Sequence, residues 1–224
     1  FFEAYLSMEP HVLIRFGMWE DILKLPLPAD VETRCTKVAM IEYAKALALS
    51  ALGRVPEAEA QHAVFTAAKA RVPDTRLLHN VRAVDLLEIA TAMLDGELAY
   101  RKGEYEIAFK RLRDAGALDD AMPYDEPWGW MQPTRHALGA LLSEQGHFDQ
   151  AEEVFRQDLG LAAGLPRACQ HPDNVWALRG LYDCLVAQGK TAETAHLKLR
   201  LDLAEARADR PVKAACGCAQ AAMS

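Results

Sequence analysis

No apolar run in this 224-residue chain reaches the roughly 18 residues needed to cross a bilayer, because Glu, Lys, Arg or Asp interrupts each one. A dense basic stripe is missing as well. The chain carries 25 Lys and Arg against 32 Asp and Glu, net −7, whereas a phosphate-backbone binder shows a clustered positive face, so no nucleic-acid partner is expected. Cysteine is scarce and odd in number: Cys35, Cys169, Cys184, Cys216 and Cys218. Their scatter argues against a disulfide framework and for free thiols in a reducing, cytoplasmic compartment. There is no Ser/His/Asp order, phosphate-cradling glycine loop, dinucleotide fingerprint or His-Glu-x-x-His, so no cofactor is expected. The opening Phe1-Phe2-Glu3, without an initiator Met, reads as part of a longer product, with any signal peptide outside it.

What the chain does have is a recurring phrase: a glycine, four residues, then an alanine that opens an amphipathic run. It stands at Gly53–Ala58, Gly103–Ala108 and Gly146–Ala151, with a looser copy at Gly189 and a vestige at Gly17. Successive glycines lie 36, 50, 43 and 43 residues apart. Repetition at this period marks one helical hairpin used again and again, a solenoid in which each unit packs only on its neighbours. Glycine suits the turn because it accepts the left-handed conformation that ends a helix. The alanine lets the returning helix approach closely.

The spacing predicts helix pairs at 3–16 with 18–25, 31–52 with 55–71, 79–102 with 104–117, 133–145 with 148–163, and 173–188 with 191–209. Residues 1–209 form the solenoid of about five pairs, and 210–224 read as a flexible tail of small residues. Segment 118–132, with two prolines, two tryptophans and four carboxylates, is the longest irregular stretch within the array. Insertions of this kind often reach over the binding face.

In the fourth pair Leu138 and Gly139 open the hairpin, and Phe155 follows Ala151 by four residues. The fifth pair offers Trp176 and Gly180, the third Gly96 and the second Ala46. This small–large alternation resembles a tetratricopeptide repeat (TPR) over nearly the whole chain, and implies an all-α superhelical hairpin solenoid. The phrases His11-Val-Leu-Ile-Arg15-Phe16-Gly17-Met-Trp19, Tyr124-Asp125-Glu126-Pro127 and Asn174-Val-Trp176-Ala-Leu-Arg-Gly180 resemble the C-terminal half of a group of long bacterial TPR proteins of poorly defined role. The histidine-rich segments that precede these phrases in that group do not occur here, so their chemistry is not carried over.

Aligning the repeats puts His11, Arg15, Tyr43, Glu97, Tyr100, His136 and Asn174 on the concave groove, where leading helices present side chains every three or four positions. Met93, Ser143, Ala177 and Leu181 share that face. A lining part aromatic and part polar suits a peptide or protein partner. The alternative is an enzyme or metal-binding protein with His11, Glu97 and His136 converging, helped by Asp125 or Glu126. Arg15 either binds a carboxylate or pairs with Glu20 or Asp21. Tyr124, Trp128 and Trp130, beside Asp125 and Glu126, either form a lid or anchor the insertion. Cys216 and Cys218 read as two free thiols, with soft-metal chelation and a local disulfide as the alternatives. A last pair without a polar cap leaves apolar surface that a second copy would cover.

Overall fold

In the computed structural model, residues 5, 7–126 and 128–220 are described, Gln220 for its backbone alone. Residues 3, 4 and 6 of the first expected helix, Pro127 of the insertion and the last four residues of the expected tail lie outside them. The chain forms two compact units, Phe1–Gln132 and Pro133–Ser224. The first holds α1 (Met8–Arg15), α2 (Trp19–Leu23), α3 (Cys35–Ala51), α4 (Val55–Lys69), β1 (Leu77–Leu78), β2 (Val81–Arg82), α5 (Ala83–Arg101) and α6 (Tyr105–Asp120). The second holds α7 (Thr134–Glu144), α8 (Phe148–Asp158), α9 (Val175–Ala187), α10 (Thr191–Glu205) and α11 (Gly217–Gln220). Every expected helix pair is present, and the fold is the all-α hairpin-repeat type that the sequence implies.

Each hairpin turns on its glycine. Gly53, Gly103, Gly146 and Gly189 have φ between +69° and +79°, and Gly17 has φ +64°. At each one the glycine N–H donates to the carbonyl three residues back and the next N–H to the carbonyl five back, as in Gly146 to Ser143 and His147 to Leu142. Two otherwise orphaned helix-end carbonyls are thereby satisfied, which is why the looser copy and the vestige close the same way. Ala58, Ala108 and Ala151 are fully buried one turn into the returning helices.

Helices pack where small residues meet large ones. A methyl group on Gly96 of α5 would lie 2.7 Å from Leu112 Cγ of α6. Methyl groups on Gly139 of α7 and Gly180 of α9 would lie 2.5 and 2.3 Å from Phe155 Cζ of α8. Phe155, with no exposed surface, therefore sits in one notch made by two leading helices and draws α7, α8 and α9 together.

Some boundaries differ from expectation. α5 starts at Ala83, not 79, because an antiparallel hairpin pairing Leu77 with Arg82 and Leu78 with Val81 precedes it. α8 stops at Asp158 because Gly160, at φ +70°, caps it. α6 continues to Asp120, through residues with no breaker before Pro123. Part of the expected tail is ordered: Ala215 and Cys218 are buried, and α11 packs on α7.

The Phe155 notch sets a test. Gly180→Ala should cost about 1–3 kcal/mol by overpacking, and adding Phe155→Leu should recover part of that loss. Urea unfolding of the two single variants and the double variant measures the coupling, and strict additivity would contradict the packing described.

Candidate functional site

In the first unit the repeat register holds, because Tyr43 lies on α3 and Glu97 and Tyr100 lie on α5. All three are buried, however, so they do not form an open lining. The Tyr43 ring lies 5.9 Å from Phe65 and 5.8 Å from Trp130. Burial, with the Glu97 charge behind it, holds the Tyr43 phenol far above its usual range and therefore protonated. Glu97 Oε2 is 3.8 Å from Arg101 Nη2. The Arg101 guanidinium lies 5.3 Å from the Tyr100 ring centroid, and that ring in turn touches Tyr105 and Phe109 of α6.

The insertion is what closes this face. Trp130, 5% exposed, meets His11 edge-on at 4.9 Å, and Gln132 Nε2 donates to the His11 carbonyl. His11 is buried, and burial followed by the Arg15 charge lowers its pKa to about 4. The cavity left under His11, Thr36, Met40, Leu87, Gly129 and Trp130 is about 20 Å³, far below ligand size. Asp125 is buried and 3.0 Å from His79 Nδ1, while Asn80 Nδ2 donates to the Tyr124 carbonyl at 3.2 Å. Trp130 and Asp125 anchor, whereas Tyr124, 63% exposed, and Trp128, 48% exposed, stay at the surface, with the Tyr124 hydroxyl donating to Glu126. His79 and Asn80 escaped the sequence reading. Their one signal was position: a polar pair between Leu78 and Val81.

In the second unit His136 is buried, not solvent-facing. Its Nε2 is 2.9 Å from Asp158 Oδ2, and His171 Nδ1 is 2.9 Å from Oδ1 of the same carboxylate. The His171 backbone N–H also donates to the Asp158 carbonyl. Burial alone would raise the Asp158 pKa. The charge and hydrogen bond of His136, joined by His171, outweigh burial and hold it well below the carboxylate range. The cluster fastens the loop after α8 to α7. Asn174 has a structural task, because its side chain accepts from Trp176 N (3.0 Å) and Ala177 N (3.4 Å) and caps α9. The residues of the metal alternative each have a partner of their own: His11 meets Trp130, Glu97 meets Arg101 and His136 meets Asp158.

An open feature of this unit lies on its leading helices. A cavity of about 400 Å³ is lined by Ala140, Ser143 and Glu144 of α7, Gly180 and Asp183 of α9, Phe155, and Lys213, Ala214, Ala215 and Ala219 of the chain that follows α10. Ser143 Oγ and Cys184 Sγ meet at 3.2 Å on this face. Burial pushes the Cys184 thiol up to about 11, so it stays protonated at neutral pH and serves as packing. Cys216 and Cys218 are joined by a disulfide, which corrects the expectation of two free thiols. Among the described residues Cys35 and Cys184 are outside any disulfide. No helix among the described residues is long and apolar enough to cross a membrane.

Two titrations follow from this chemistry. His11 protonates in the unfolded chain near its ordinary pKa of 6.5 but in the folded chain only near 4, so stability falls as pH drops through that window. The loss is up to about 3 kcal/mol for a shift of this size, and His11→Gln should remove that part of the acid slope in unfolding measured from pH 7 to 4. The depressed Asp158 acts in the opposite proton state: its contribution is complete above the ordinary carboxylate pKa and fades as pH falls below it. Asp158→Asn should cost about 3 kcal/mol at pH 7, and the gap to the natural chain should narrow below pH 4 when the two are melted in parallel.

No protein-family model matches this chain, and no curated protein does. Among solved structures it is similar to a protein of Podosopora anserina described as a putative kinesin light chain with nearly identical TPR-like repeats. The identity is 17% and the TM-score 0.50, over 93% of this chain and 99% of that one. A single-substitution variant of that protein is similar to the same degree, at 17% identity and TM-score 0.50, over 92% and 97% of the two chains. Hairpins closed by left-handed glycines, small–large packing between paired helices and this likeness give one result: the chain has the TPR-like helical-repeat fold.

Proposed function

We propose that the chain is a non-catalytic interaction scaffold that takes a peptide segment of a partner protein on the leading helices of its second unit. The observation that carries this reading is the roughly 400 Å³ cavity on α7 and α9, which falls in the range of ligand-binding clefts. Its helix wall combines small side chains with the Ser143 hydroxyl and the Glu144 and Asp183 carboxylates. Small residues let a peptide backbone come close, and a few polar groups fix its register and direction. The buried titratable groups support the same reading. The Cys184 thiol is held protonated by burial, and His136 and Asp158 spend their hydrogen bonds on each other and on a loop.

Selection from a random peptide display library on the purified protein tests this. It should enrich binders whose affinity drops at least about tenfold, the scale of one lost charged contact, in Glu144→Lys, with the melting temperature unchanged because Glu144 is exposed. Failure to enrich any peptide, or binding indifferent to Glu144→Lys, would refute it.

A further inference from the structure

We propose that the α7–α9 face already holds a weak ligand in cis, residues 211–220, and that the partner recognised there carries the same chemistry: small apolar side chains around one Lys or Arg. This rests on the interaction reading above. The segment reads Pro-Val-Lys-Ala-Ala-Cys-Gly-Cys-Ala-Gln, with Lys213 as its one charged side chain. A four-residue helix such as α11 is far below the roughly 12–15 residues that sustain a helix in water. Its order therefore comes from α7, on which it packs, with Ala215 3% and Cys218 2% exposed.

The docking is weak for a countable reason. Burying a methyl-sized group yields about 0.8 kcal/mol, while fixing each residue's backbone costs about 1–2 kcal/mol. The fit is also incomplete, since about 400 Å³ stays open between Lys213 and Ala215 on one wall and Ser143, Glu144 and Asp183 on the other. A close-packed core leaves few voids larger than a water molecule. A partner of the same chemistry, with a cation for Glu144 and more of its small apolar side chains in the void, fills the site better than the resident segment; Asp183 is already 3.4 Å from Arg179 Nη1. An occupant in cis raises the apparent Kd of any such partner in inverse proportion to the fraction of time the site is undocked, so the segment sets the threshold for binding.

The test uses the full chain and a fluorescent peptide with the sequence of residues 211–220. Ala215→Arg places a long cation where a buried methyl sits and undocks the segment. The peptide should bind this variant about tenfold or more tightly than the natural chain, and adding Glu144→Lys should remove the gain. In the natural chain, amides 215–219 should exchange with solvent at least about a hundredfold faster than those of α9, as a low-stability unit does. Equal binding to both proteins, or exchange at 215–219 as slow as in α9, would overturn the inference by making the segment a fixed part of the core. If library peptides still bind with Glu144 dependence in that case, the cis ligand is refuted and the interaction reading stands. If they do not bind either, both fail.

Discussion

A large side chain on a returning helix, seated where a leading helix has only hydrogen, is the contact on which the rest of this structure depends. Leu112 fills the place of a side chain at Gly96, and Phe155 does so at both Gly139 and Gly180. Interiors pack at crystal density, so helix axes settle where these shapes interdigitate. Once Phe155 fixes α8 against α7 and α9, it also fixes which residues of those leading helices look away from the contact. Ser143, Glu144 and Asp183 line a cavity beside this contact, together with Gly180 and Phe155 themselves.

Several buried polar groups in this protein hold loops. His136, Asp158 and His171 tie the stretch after α8. Asp125 and His79 tie the insertion to the β1–β2 turn, and Asn174 caps α9. A buried carboxylate shared by two histidines resembles catalytic chemistry in composition. It differs in geometry, because both carboxylate oxygens are turned inward onto histidine partners. Buried polar groups of this kind are costly unless satisfied, and satisfying one another is what these groups do.

Much of the fold was legible in the residues. The Gly-x4-Ala phrases located three of the helix-hairpin turns, and the glycines of the looser copy and the vestige the other two, since glycine adopts φ near +70° without strain and the alanine that follows in the full phrases must clear the neighbouring helix. The same period put Tyr43, Glu97 and Tyr100 on leading helices correctly. It did not reveal that they are covered. Covering depends on Trp130 folding back on Tyr43 and His11 from a segment with no periodicity at all. The Cys216–Cys218 bond and the burial of Ala215 were likewise beyond a compositional reading, which registers only that the residues are small.

By itself, then, the sequence determined the repeat: where the helix pairs reverse and which small residues face which large ones, local rules acting over about five residues or one hairpin. Only the tertiary structure decided which stretches of that scaffold stay open. The insertion shuts one face and residues 211–220 lean on another, and both outcomes rest on contacts between residues far apart in the chain, whose pairing no local pattern encodes.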